Sequence, residues 1–190
     1  SAEDSFPGMI SLSSEQSLLA TRLQAAKRAA QQLSTGLGDA DRLSVVSFSD
    51  SPITHVNGVP MVAELRPGVG DSIQAIQTRG RTDLHAGWET GFNLVQSSMH
   101  KNPQALHRVV LLSDGHANLG MTDPDQLADI ARRHHEAGIS TSAVGIGNDY
   151  STTQLAAMTT ASGGELHDAE FCDEIGEIVL GELREIQSTA

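Results

Sequence analysis

Between Ser17 and Leu37 the apolar positions Leu19, Leu23, Ala26, Ala30, Leu33 and Leu37 recur at spacings of 4, 3, 4, 3 and 4, one stripe of an amphipathic helix. Lys27, Arg28, Gln31 and Gln32 fall on its polar side, and Gly36 and Gly38 end it. Leu43 to Phe48 then reads as a strand. Ile53 to Val56, set among Ser-Pro and Asn-Gly turn signals, reads as a short edge strand and hairpin. Asp71 followed by Gln74 has the form of a capping box and predicts a brief helix through about Thr78. A polar loop, Arg79 to Asp83, leads into a helix over about Leu84 to Met99, where Gly87 and Gly91 allow a neighbouring element to come close.

The most continuous apolar run is Val109-Val110-Leu111-Leu112, preceded by His107-Arg108 and stopped by Ser113-Asp114-Gly115. It predicts a strand buried on both faces, as in parallel sheets. Asp123-Pro124 opens a helix from Asp125 to Ala137, in which the adjacent His134 and His135 cannot share a face and read as surface polar residues. Ser140 to Gly147 is the next strand, and Ser151 with Gln154 caps a helix that stops at Gly163-Gly164. Glu165 to Asp168 supplies a short strand, and Phe171, Ile175, Ile178, Val179 and Ile186 mark a final amphipathic helix whose stripe is broken at Glu182. Residues 1–13 hold one Pro-Gly turn and a short apolar alternation at Met9 to Leu12, a weak strand. From residue 43 onward strands alternate with helices, which predicts an α/β fold: a doubly wound, mostly parallel sheet with helices on both faces.

A length of 190 residues and 20.1 kDa suits one domain over 1–190, with residues 1–17 as an atypical N-terminal segment. Twelve Lys and Arg against 24 Asp and Glu give a formal charge of −12, which disfavours nucleic acid and anionic membranes as partners. A divalent cation or a basic protein surface would instead be attracted. Aromatics make up only 3%, so the core is aliphatic and alanine-rich and no base-stacking platform exists. The lone Cys172 excludes an internal disulfide or a multi-cysteine metal site and reads as a buried apolar filler, leaving the redox compartment open. No apolar run reaches the length of a membrane span, and Ser1-Ala2-Glu3-Asp4 lacks the basic start of a signal peptide; the opening serine suggests a processed or excised piece. The eight histidines are dispersed without a His-x-x-x-His pair, so a catalytic zinc is not expected.

Asp114 carries the first candidate chemistry. Side chains just past the carboxyl ends of strands line the ligand crevice of open α/β sheets, although an Asp before Gly also caps turns. One reading makes Asp114 the nucleophile or metal ligand of a hydrolase or phosphoryl-transfer enzyme, with His116 as acid or base. Against it, the chain contains no Gly-x-Gly-x-x-Gly, no Gly-x-x-x-x-Gly-Lys-Ser/Thr and no Gly-x-Ser-x-Gly.

Five phrases occur in order: Leu23-Gln24-Ala25-Ala26-Lys27-Arg28-Ala29-Ala30, the stretch Gly38 to Ser49, Gly80-Arg81-Thr82-Asp83-Leu84-His85-Ala86-Gly87, Val109 to Gly120, and Ala137 to Gly147. In this the chain resembles the von Willebrand factor A domain over about residues 18–187, and looks most like its bacterial members. The resemblance implies a metal-ion-dependent adhesion site at the carboxyl edge of the sheet. There an Asp-x-Ser-x-Ser loop, a Thr and a strand-end Asp hold one Mg²⁺ or Mn²⁺, and a protein partner adds a carboxylate. Thr82 matches the Thr and Asp114 the strand-end Asp. The first loop departs from the pattern: Met9-Ile10-Ser11-Leu12-Ser13 keeps Ser11 and Ser13 with Met at the Asp position, and the register from Asp4 places Phe6 and Gly8 where serines belong. With one carboxylate fewer, a divalent ion should bind weakly. Arg81 either opposes a cation or contacts an acidic ligand. The expectation is a non-enzymatic module that docks a protein partner at the edge formed by Thr82, Asp114 and the loop around Asn118, through an ion or as a metal-independent scaffold.

Overall fold

The computed structural model describes residues 14–77, 81–115, 117–170 and 174–189. Helix α1 (Ser14–Gly36) is followed by strands β1 (Arg42–Phe48) and β2 (Pro52–Pro60), then helices α2 (Arg66–Gln74) and α3 (Leu84–Ser98). The remainder alternates strand and helix: β3 (His107–Ser113), α4 (Pro124–Glu136), β4 (Ile139–Ile146), α5 (Thr152–Thr160), β5 (Leu166–Ala169) and α6 (Glu174–Thr189). β3, β4 and β5 form a parallel three-stranded sheet, and β1 pairs antiparallel with β2. Among the described residues no strand joins the two sheets.

β4 is the strand buried on both faces. Its Ile139 and Ala143 pack with Trp88, Leu127 and Met158 under α3, α4 and α5, while Val144 and Ile146 meet Ala29, Ile175 and Val179 of α1 and α6. β3, for which burial on both faces was expected, instead alternates: Val109, Leu111 and Ser113 are buried, and Val110 and Leu112 only partly. α3 packs tightly on the first sheet because Gly87 has no side chain; a Cβ there would lie 2.4 Å from the Phe48 ring.

Four local expectations are corrected. The helix near Asp71 begins earlier, at Arg66, with a proline in its first turn, so Asp71 is interior and caps nothing. Asn57-Gly58 is not the hairpin turn. It lies within the nine-residue β2, where Gly58 takes φ 55° and the pairing with β1 slips, the mark of a bulge. Lys27 is not on a wet face: it is 8% exposed and its Nζ donates to the Gln74 carbonyl at the end of α2, 2.8 Å away. His134 is likewise buried at 3%. Consecutive helical residues point about 100° apart, so His135 can face water while His134 turns inward onto α3.

There the His134 ring stacks on Phe92 with centroids 3.7 Å apart, and its Nε2 meets Glu89 Oε1 at 3.0 Å. That hydrogen bond holds the Glu89 carboxyl below its ordinary value of 4.5, against the opposing effect of burial; attraction from His134, His85 and Arg133 adds to the lowering. A carboxyl lowered in the folded state contributes stability above its unfolded pKa, and that contribution disappears as pH falls through the folded value. The urea midpoint should therefore drop below pH 4.5, and drop less in Glu89→Gln. Parallel pH profiles for the two proteins would remove Glu89 from the acid response.

Phe171 and Cys172, expected as part of the last stripe and as a buried filler, lie outside the described residues, as do Ser11, Ser13 and His116. No helix of the described residues is long and apolar enough to cross a membrane.

Candidate functional site at the carboxyl edge

The strands of the parallel sheet end together, and β1 ends at the same edge. Asp83, just after the Thr82 loop, donates its backbone N–H to the Ser49 carbonyl beyond β1 at 2.8 Å, while Asn118 and Leu119 beyond β3 donate to the Thr82 carbonyl at 3.2 and 3.3 Å. Asn118 Oδ1 in turn accepts from the Thr82 N–H at 3.1 Å, so the two loops are clasped from both sides. Asp83 caps α3 through its carboxylate, which accepts from Ala86 N–H at 2.9 Å. Gly120, at φ 68°, lets the following loop lie against that carboxylate; a Cβ would stand 2.5 Å from Asp83 Oδ1. These contacts put Thr82 and Asp114 on the wall of one groove, with Arg81, Asn118 and Asp149 beside them.

Two residues that sequence reading did not single out, Arg22 and Asp149, complete the notch. Arg22 Nη1 of α1 lies 3.9 Å from Asp114 Oδ2 and 3.8 Å from Asp149 Oδ2. Gly147 makes room for the guanidinium, since a Cβ there would lie 2.5 Å from Nη2. An arginine bordering an apolar helix stripe was the available signal; its partners come from strand ends more than 90 residues away in sequence. Arg81, exposed, is held through its backbone N–H by Asp50 Oδ1 at 3.2 Å.

Hydroxyl and carboxylate oxygens from Thr82 and Asp114 suit a hard cation. The fit is partial, because among the described residues Asp114 already faces the Arg22 guanidinium. The trio of His and carboxylate groups with ligand atoms within 4.8 Å of one another lies elsewhere, at Glu165, His167 and Glu182. That trio is itself committed: Glu182, 1% exposed at its side chain, holds Arg108 Nη1 at 2.6 Å and His167 Nε2 at 2.7 Å. The break in the α6 stripe was thus the sequence trace of a buried ion pair.

A model of the von Willebrand factor type A domain matches residues 11–178. The chain belongs to this family. It is 22% identical over 156 residues to the uncharacterized protein YfbK of Escherichia coli K12, covering 80% of this chain and 26% of that protein, so it spans about a quarter of that relative's length. The fold is similar to that of a von Willebrand factor type A protein from Catenulispora acidiphila, with a TM-score of 0.74 at 18% identity over 90% of this chain and 39% of that one. It is also similar to proximal thread matrix protein 1 of the mussel byssus, in a structure with a zinc-occupied MIDAS motif; the TM-score is 0.62 at 15% identity, over 83% of this chain and 39% of that one. Domains of this family typically act in protein–protein interaction and are generally not enzymes.

Proposed function

We propose that this von Willebrand factor A domain is a docking module that receives an acidic side chain of a protein partner at the Thr82–Asp114 notch. The observation that carries the reading is the Arg22 guanidinium held between Asp114 and Asp149 at the sheet's carboxyl edge, with Arg81 beside it. Because Asp114 and Asp149 already balance the charge of Arg22, a partner carboxylate would meet the exposed Arg81, or a bound ion, and would compete with the two aspartates for the Arg22 guanidinium.

Mg²⁺ or Mn²⁺ is the ionic form of the same reading, with Thr82 and Asp114 as oxygen donors and Ser11 and Ser13 as further hydroxyls. One carboxylate in competition with an arginine makes that ion weakly held. For the alternative reading with Asp114 as a nucleophile, the acid or base it calls for, His116, lies outside the described residues.

Isothermal titration with Mg²⁺ and Mn²⁺ tests the ionic form. Weak binding is expected in the wild type, none in Asp114→Ala, and tighter binding by roughly tenfold in Arg22→Gln, which removes a competing positive charge about 4 Å from the carboxylate. Equal titrations in all three proteins would leave Asp114 without a metal role. Pull-down on an immobilised aspartate-rich peptide, weakened by Arg22→Gln at low salt, is expected if the arginines themselves receive the partner.

A further inference from the structure

A second cluster of chemistry-bearing side chains stands at the amino end of the sheet, away from the notch. Arg108, which borders it, comes six residues before Asp114 along β3, so about 20 Å separates the two places. Glu165, just before β5, and His167 within it are two residues apart, and alternate residues of an extended chain share a face. Glu182 of α6 meets them on that face. Its Oε1 lies 2.7 Å from His167 Nε2, and Glu165 Oε2 lies 3.9 Å from the same nitrogen. One ligand atom from each of the three residues falls within 4.8 Å of the other two.

We propose that Glu165, His167 and Glu182 form a site for a divalent ion of the zinc class, which clamps α6 to β5 and keeps its fourth position for water. The spacing fits. Around a four-coordinate Zn²⁺, with imidazole nitrogen and carboxylate oxygen at about 2.0–2.2 Å, ligand atoms stand roughly 3.3 Å apart. The observed 2.7 and 3.9 Å bracket that value, so adjustments of about 0.6 Å bring both to it. The deepest ligand is also aimed in advance. Glu182 is 1% exposed at its side chain, and Arg108 Nη1 holds its Oε2 at 2.6 Å while Arg108 Nε donates to Ser140 Oγ, leaving Oε1 turned toward His167. Outer hydrogen bonds of this kind orient metal-bound carboxylates. Entry is open from the Glu165 side, 64% exposed at its side chain, on a backbone pinned to β4 through Ser142 Oγ and the Ala143 N–H. Two carboxylates against one guanidinium leave one negative charge beside the imidazole, which favours a cation. The ion would replace the proton that bridges Nε2 and Oε1, with the imidazole neutral and its hydrogen on Nδ1. The proposal does not depend on the docking reading, since the two places share no residue.

Calorimetric titration of the intact 190-residue protein with Zn²⁺ is the test, with Co²⁺ as a visible-absorption probe of coordination. The tightest binding event is expected to take one ion per chain and to be the same in Asp114→Ala. Losing an outer hydrogen-bond partner costs about 10–100-fold in metal affinity, so losing a ligand should cost at least as much. His167→Gln, which removes the ligand nitrogen but keeps an amide donor for Glu182, is expected to weaken binding at least about 100-fold. Glu165→Gln, a change at an exposed side chain, is expected to weaken it at least about tenfold. Bound Co²⁺ should show the intense bands of four-coordination, and Zn²⁺ should raise the thermal midpoint of the wild type and not of His167→Gln. No Zn²⁺ binding by the wild type overturns the proposal, and so does equal binding by wild type and His167→Gln. Binding lost in Asp114→Ala but kept in His167→Gln would assign the ion to the notch and overturn it equally.

Discussion

Glu182→Ala is expected to lower the free energy of unfolding by about 3–5 kcal/mol, the cost of leaving one charge of a buried pair without its partner. Glu182 is 1% exposed at its side chain, and each of its oxygens is engaged, Oε2 by Arg108 at 2.6 Å and Oε1 by His167 at 2.7 Å. The bridge ties α6 to β3 and β5, and Arg108 extends it to β4 through Nε donation to Ser140 Oγ at 3.1 Å. The double variant Arg108→Met with Glu182→Leu should recover most of the loss, because two apolar groups of similar volume replace both charges and their desolvation. Urea denaturation followed by circular dichroism measures all three proteins. A loss below about 1 kcal/mol in the single variant would show that the pair is solvated and structurally idle.

Trp88→Ala carries the second large effect, also about 3–5 kcal/mol. Trp88 is fully buried, packs edge-on against His134 at a centroid distance of 4.5 Å, and donates Nε1–H to Thr141 Oγ1 at 2.9 Å. Truncation opens a cavity between α3, α4 and β4 and strips the buried Thr141 of that partner. Trp88→Phe refills part of the space without restoring the hydrogen bond, so a smaller loss of about 1–3 kcal/mol is expected. Thermal denaturation by circular dichroism checks the order of wild type, Phe and Ala. Phe and Ala variants of equal stability would mean that the hydrogen bond rather than the ring volume carries the site.

Periodicity placed most elements within a few residues, because 3.6- and 2-residue repeats are local properties. α1, α3, α4 and α5 form where they were expected, with Asp123 and Ser151 accepting from Gln126 and Gln154 backbone N–H groups as their sequence positions foretold, although α1 buries Ala25 and Ala29 more completely than its expected stripe of Leu23, Ala26 and Ala30. Where local signals conflicted, the structure chose: Pro67 outweighed the Asp71 capping pattern, and β pairing absorbed Asn57-Gly58 as a bulge. Lys27, His134 and Glu182 were misread for a shared reason. Composition marks them as polar, but a buried position becomes tolerable when a carbonyl, carboxylate or guanidinium from a distant element meets it.

By itself the sequence determined the α/β class and the family, because these are carried by ordered phrases and by repeats a few residues long. Only the tertiary structure revealed that Arg22 lies between Asp114 and Asp149, and that Glu182 is the hub of a buried bridge. Those features join residues dozens of positions apart, and long-range proximity is set by how helices and strands stack, which no local pattern encodes.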